Sequence, residues 1–284
     1  MSALIDDSSV SGFPALIGGE GMNILDFPAM KARKEKISMV TCYDFWSAEL
    51  LEKTDIDMLL VVGDSLAMVM HGFPSTVHAT IELMEMHSAA VRRGAPKKFV
   101  VGDLPFLKAR YSRDLVLDNV CRLMQAGCNA IKIEGAEGHL EVIEHVVGSG
   151  VPVMGHLGLT PQSVEAFGGH KVQGKTECSA EKIRKSALAL EKAGCFALVL
   201  ECVPQKLADQ ITKELTIPTI GIGAGPHTDG QVLVLQDLLG MQNNFKPKFL
   251  RHYLSGEKLL GNAISTFNED VKSSAFPSCE ESYR

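Results

Sequence analysis

Six polar residues spread through the middle of the chain, Asp64, Asp103, Lys132, Glu134, His156 and Glu201, stand at or beside the ends of short apolar runs. The run Val61-Val62-Gly63-Asp64 recurs almost unchanged as Val100-Val101-Gly102-Asp103, and the runs Val151–Met154 and Ala197–Leu200 lead to His156 and Glu201. Between them lies Ala130–Glu134, in which Ile131 and Ile133 alternate with Lys132 and Glu134. That alternation predicts a strand with both charges on one side. A strand flanked by helices is normally buried on both faces and apolar throughout. A buried charge is costly unless it is paired or held to a metal or ligand. Taken alone, Lys132 and Glu134 admit two readings: an internal ion pair filling a barrel interior, or a functional site. The carboxylates of Asp64, Asp103, Glu134 and Glu201 in one pocket would repel one another unless their pKa values rise or a cation joins them. Oxygen ligands without a Cys or His cluster favour Mg2+ or a similar ion over zinc. A single strand-end Asp reads most simply as a loop cap, but several polar strand ends in register are not explained by capping.

The elements that must bring these residues together follow a regular rhythm. Strands are predicted at Ile37–Thr41, Met58–Val62, Phe99–Val101, Ala130–Glu134, Val151–Met154, Ala197–Leu200, Pro218–Ile222 and Val232–Leu235. Helices are predicted at Phe27–Lys36, Phe45–Lys53, Ile81–Arg93, Arg113–Ala126, His139–Val147, Ala180–Ala193 and Gln205–Glu214, with a further C-terminal helix beyond Lys248. Long loops are expected after Gly63-Asp64-Ser65 and over Leu157–Glu177. Strands alternating with helices predict an α/β fold, a single (β/α)8 TIM barrel, with a doubly wound open sheet as the alternative. The tension lies between the last two strands, where about ten residues are few for a helical crossover. In a barrel all strand carboxyl ends open on one face, so the six polar residues would converge there.

The chain has 284 residues, 45% apolar and 22% charged, with a net charge of −6. Those values are those of a globular protein and argue against nucleic acid or an anionic membrane surface as the main partner. No apolar run is long enough to span a bilayer, and Met1–Ser11 has no signal-peptide pattern, so a cytoplasmic location is expected. Residues 1–24 read as an arm, 25–265 as the catalytic barrel and 266–284 as a polar tail. The seven cysteines show no Cys-x-x-Cys pair and read as reduced thiols. His87, His139, His145 and His170 read as surface or packing residues. The Gly221–Gly225 run is a weak candidate for a phosphate cradle and a better one for close backbone packing.

Several longer motifs, in order, carry a specific resemblance. They are Thr41-Cys42-Tyr43-Asp44, Val62-Gly63-Asp64-Ser65-Leu66, Val91-Arg92-Arg93-Gly94-Ala95-Pro96, Asp103-Leu104-Pro105-Phe106 and Ile131-Lys132-Ile133-Glu134-Gly135. They continue as Gly155-His156-Leu157-Gly158-Leu159-Thr160-Pro161-Gln162-Ser163, Lys171-Val172-Gln173-Gly174, Leu200-Glu201-Cys202-Val203-Pro204 and Gly221-Ile222-Gly223-Ala224-Gly225. From about residue 20 to 265 the chain resembles the 3-methyl-2-oxobutanoate (ketopantoate) hydroxymethyltransferase family. The resemblance implies a (β/α)8 barrel and a Mg2+ site with Asp64, Asp103 and Glu134 around the metal, directly or through water. It places Asp64, Ser65, Asp103 and Lys132 against the keto acid, makes Glu201 the base, and has His156 line the pocket and orient substrate or base. It implies 5,10-methylenetetrahydrofolate as one-carbon donor, an enolate of the 2-oxo acid stabilised by Mg2+ and Lys132, and pantothenate biosynthesis as the setting. It also implies a homo-oligomer, a decamer by analogy with bacterial members. Ala67 stands where the family usually has Gly, and the 72–79 loop differs in detail, which bears on folate contacts. The alternative function is a related Mg2+-dependent barrel that cleaves or rearranges C–C or P–C bonds in small 2-oxo acids.

Overall fold

The computed structural model describes residues 21–61, 63–242 and 246–283; the side chain of Asp64 lies outside that description, as does the N-terminal arm up to residue 20. Eight parallel strands close into a barrel in sequence order. They are β1 (Ile37–Thr41), β2 (Met58–Val61), β3 (Phe99–Asp103), β4 (Ala130–Glu134), β5 (Val153–Gly158), β6 (Ala197–Glu201), β7 (Thr219–Ile222) and β8 (Gly230–Leu233). The helices are α1 (Asp26–Arg33), α2 (Phe45–Glu52), α3 (Gly63–Val69), α4 (Ile81–Gly94), α5 (Arg113–Gln125), α6 (Leu140–Gly148), α7 (Glu177–Lys192), α8 (Gln205–Glu214), the short α9 (Leu235–Leu238) and α10 (Gly256–Ser273).

Period-2 alternation sorts each strand into two layers. Outward residues such as Val40, Leu59, Val100, Ile131, Ile133, Val153, Leu198 and Leu200 pack in one core with Met84, Val91, Leu123, Ile143, Leu190 and Ile211 of the surrounding helices. Inward residues form a second core: Met39, Met58, Leu60, Phe99, Val101, Ala130, Met154, Ala197, Val199, Ile220 and Val232. At the amino ends of the strands α1 plugs this inner core, with Phe27 edge-on to Phe99 at 4.9 Å and 6.1 Å from Phe196. The inner layer is thus graded, from aromatic and sulfur-containing at the bottom to charged at the top.

Three sequence expectations are corrected. Where a loop was expected after Met58–Val62, the chain turns into α3, because Leu66, Ala67 and Val69 supply a helical apolar pattern, with Leu66 and Ala67 fully buried. The fifth strand begins at Val153 and runs on through His156 to Gly158; Gly155 does not break it but makes room for Leu190, whose Cδ1 would lie 2.9 Å from an added Cβ. The last strand lies at Gly230–Leu233, two residues earlier than expected, paired with Ile37–Val40 of β1. No helix separates β7 from β8; the intervening turn still delivers a parallel strand and closes the ring. Outside the barrel, α10 is exposed along nearly its whole length, with Gly256 its buried residue. No helix among the described residues is long and apolar enough to cross a membrane.

Candidate active site

Strand register sets the polar cluster. Asp103 at the end of β3 pairs level with Lys132, and Glu134 at the end of β4 pairs level with His156. All four side chains point inward, as the alternation requires. Lys132 Nζ donates to Asp103 Oδ1 at 2.8 Å and to Glu134 Oε1 at 3.1 Å. The second Glu134 oxygen accepts from the backbone N–H of Gln162 at 3.1 Å, and the Gln162 amide donates to the Leu104 carbonyl at 2.9 Å. His156 lies between two carboxylates, Nδ1 3.3 Å from Glu134 and Nε2 3.3 Å from Glu201. Neither approach has hydrogen-bond alignment, so these are charge contacts. Glu201 is the least buried of the group, its side chain 18% exposed against 4% or less for the others.

Burial and charge push these groups in different directions. Desolvation raises the Asp103 carboxyl, and Lys132 only partly offsets it. Desolvation also opposes ionisation of Glu134, but Lys132 and His156 outweigh it and keep its carboxyl below the usual range. Burial and the Lys132 charge work against a protonated His156; Glu134 and Glu201, one at each ring nitrogen, prevail and hold it up at about 9. The cluster is therefore a dry, largely compensated charge network in which Asp103 is the carboxylate least well balanced.

Above this floor opens a cavity of about 500 Å³ at the carboxyl ends of the strands. Ser65, Lys132, His156 and Glu201 line it; Asp103 and Glu134 lie behind Lys132 and do not. Asp64 is in α3, directly before Ser65, with its side chain outside the described set. Sequence reasoning passed over several neighbours. Tyr43, fully buried, donates from its hydroxyl to Ser65 Oγ at 2.5 Å. Phe73, Thr76, His170, Asp237 and Phe249 line the outer part of the cavity. Tyr43 and Gln162 are visible in the sequence only as members of the quoted motifs, and Phe73 and Thr76 only as members of the 72–79 loop tied to folate contacts; Asp237 and Phe249 belong to neither. His170, read as a surface or packing residue, is exposed yet faces the cavity.

The residues present suit a hard cation. Asp103 and Glu134 offer oxygen alone, and burial disfavours the ionised Asp103 carboxylate with only partial compensation from Lys132, so a further positive charge beside it would favour that ionised form. No three His, Cys, Asp or Glu side chains among the described residues are grouped as a metal cage.

A (β/α)8 barrel with a buried Lys–carboxylate network under a strand-end cavity defines a class: enzymes that develop negative charge on a small substrate at the barrel mouth. Within that class, the profile of the ketopantoate hydroxymethyltransferase family matches residues 21–279, and the chain belongs to this family. It is similar to 3-methyl-2-oxobutanoate hydroxymethyltransferase of Coxiella burnetii (strain RSA 493 / Nine Mile phase I), 55% identical over 260 residues, 91% of this chain and 97% of the relative. The enzyme of the same name from Francisella tularensis subsp. novicida (strain U112) is 51% identical over 261 residues, 92% of this chain and 98% of the relative. Among solved structures, a phosphonopyruvate hydrolase complex with oxalate and Mg++ superposes with a TM-score of 0.57 at 13% identity, covering 91% of this chain and 92% of that one; the likeness is one of fold.

Proposed function

We propose that this chain transfers the one-carbon unit of 5,10-methylenetetrahydrofolate to C3 of 3-methyl-2-oxobutanoate, giving 2-dehydropantoate (ketopantoate) and tetrahydrofolate, the first step toward pantothenate. The observation that carries the reading is the placement of Glu201. It is the one carboxylate of the network that both lines the cavity and keeps some exposure, while Lys132 lines the same wall. Glu201 removes the C3 proton as general base. His156, beside its Oε2, orients it and balances its charge. Lys132 meets the carboxylate or the developing enolate oxygen of the keto acid. Ser65, steadied by the Tyr43 hydroxyl, and Asp64 fix the substrate's other end, with Asp103 acting on it from behind Lys132. Asp64, Asp103 and Glu134 would hold Mg2+, directly or through water. When bound, that ion supplies positive charge next to the oxo and carboxylate oxygens. The methylene carbon then forms one bond to the enolate carbon and one to the oxygen of a water molecule while both of its C–N bonds break; their electron pairs stay on N5 and N10 of tetrahydrofolate, which take up one proton from that water and the proton Glu201 removed from C3.

We place the enzyme in the cytoplasm as a homo-oligomer, a decamer by family analogy. An exposed stripe on α10, Leu260, Ile264, Phe267 and Val271, supports self-association, since apolar side chains at helical spacing rarely face water together. The chemistry is tested by exchange of the C3 proton of 3-methyl-2-oxobutanoate for deuterium without folate. In Glu201→Gln, keto acid and Mg2+ still bind, and exchange falls by about 10²–10⁴-fold, the usual contribution of a general base. Wild-type exchange in that variant removes Glu201 as the base.

A further inference from the structure

One carboxylate of the cavity takes no part in the network. Asp237 is in α9, just past β8, on the side of the closed ring opposite β4 and Lys132, with Glu201 of β6 between them. It is half-buried. Its carboxylate has no hydrogen-bond or ion-pair partner among the described residues; desolvation raises its pKa, opposed only by the charge of His252. Half-removed from water, it lacks paired N–H donors among the described residues. Apolar and aromatic side chains share the cavity with it. Val232, Leu233 and Val234 supply apolar lining, and Phe73 and Phe249 line the same cavity from the segments after α3 and α9. The Phe249 ring sits over Gly223, where an added Cβ would come within 2.8 Å of Cδ1; Gly223 has φ +65°, a conformation glycine adopts without strain.

We propose that Asp237 anchors the pterin ring of the folate donor, its carboxylate accepting from N3–H and the 2-amino group while Phe73 and Phe249 flank the ring. The assignment rests on the transferase reading above. The 2-amino-4-oxo edge presents two parallel N–H donors, which a carboxylate accepts together in the way it accepts a guanidinium fork. Neighbouring strands are about 4.8 Å apart, so the β6 and β8 ends are separated by roughly 10 Å. That is the span of a bicyclic ring with a polar contact at the far edge and its one-carbon unit near the keto acid held beside Glu201.

The test uses the full-length enzyme with Mg2+ and 3-methyl-2-oxobutanoate. Asp237→Asn turns one acceptor into a donor facing a donor. The KM for 5,10-methylenetetrahydrofolate rises about 10- to 100-fold, the loss expected for a charge-assisted hydrogen bond. The KM for the keto acid and the folate-independent C3 exchange stay at wild-type values. A second measurement compares tetrahydrofolate with its 2-desamino-2-methyl analogue as inhibitors. Wild type prefers the 2-amino compound, and Asp237→Asn and Asp237→Ala lose that preference. An unchanged folate KM in Asp237→Asn, or a preference that survives in both variants, overturns the assignment. Absence of folate-dependent turnover in the wild-type enzyme would instead remove the transferase reading itself.

Discussion

Replacing Lys132 with Met tests whether the charge network, rather than packing, holds the top of the barrel together. The Lys132 side chain is 2% exposed, and its ammonium is 2.8 Å from Asp103 and 3.1 Å from Glu134. At an effective dielectric near 20, each contact carries about 5–6 kcal/mol of direct attraction, largely offset by the desolvation of three charges. Methionine fills much of the volume but leaves two buried carboxylates facing each other, so the loss is that of a broken buried pair, about 3–5 kcal/mol. For a chain of this size that lowers Tm by roughly 6–15 °C. The defect also depends on pH in a definite direction. Asp103, already raised by desolvation, rises further without Lys132. The folded variant then binds a proton that the unfolded chain, with an ordinary Asp near 3.9, has released. Stability therefore falls as pH rises through the folded value and recovers below it. The assay is thermal unfolding of EDTA-treated wild type and Lys132→Met at pH 5 and pH 8. A pH 8 difference under about 2 °C, or one that does not shrink at pH 5, would refute the argument. Added MgCl2 should raise the variant's Tm at pH 8 more than wild type's, because the oxygen donors lack their cation.

At the other end of the barrel, Phe27→Ala removes a ring with 0% exposure and should cost about 3–5 kcal/mol in urea unfolding; turnover at 25 °C should persist, and a loss under 1 kcal/mol would mean the plug relaxes into the gap. Gly158 has φ +96°, and a Cβ there would lie 2.1 Å from the Glu201 carbonyl oxygen. Gly158→Ala should therefore displace the base and lower kcat by about 10²-fold along with Tm, whereas a variant with wild-type kcat would show that this contact does not position Glu201. Ile264 and Phe267 are 69% and 55% exposed on α10; the double change Ile264→Asp, Phe267→Asp should reduce the particle mass measured by light scattering, and an unchanged mass would exclude this stripe from the interface.

The sequence made the barrel legible because the strand ends repeat a pattern. Gly-Asp after two apolar runs and Lys-Ile-Glu in a third point to one face, and the register brings Asp103 level with Lys132 and Glu134 level with His156. Local cues misled where glycine was read as an end. Gly63-Asp64 begins a helix rather than a loop, and Gly155 is a mid-strand residue that admits Leu190 from α7. Both outcomes depend on contacts distant in sequence, which local propensity does not encode. The same holds for Asp237 and Phe249. Neither has a neighbourhood pattern that marks it, and only the closed ring brings them over the cavity that Lys132 lines from the far side.

The inward charges of β4 have a consequence for assembly of the fold. Shifting this strand by one residue would turn Lys132 and Glu134 into the layer that Leu123, Ile143 and Val146 occupy, and turn Ile131 and Ile133 into the mouth. An all-aliphatic strand would tolerate either alignment nearly equally, because both its faces are buried. Here the misaligned barrel would strand two unpaired charges among hydrocarbon side chains. The residues assigned to chemistry therefore also work as an alignment key: a chain that has closed its ring out of step is selectively unstable, and a stable chain has already placed Lys132 and Glu134 where they act.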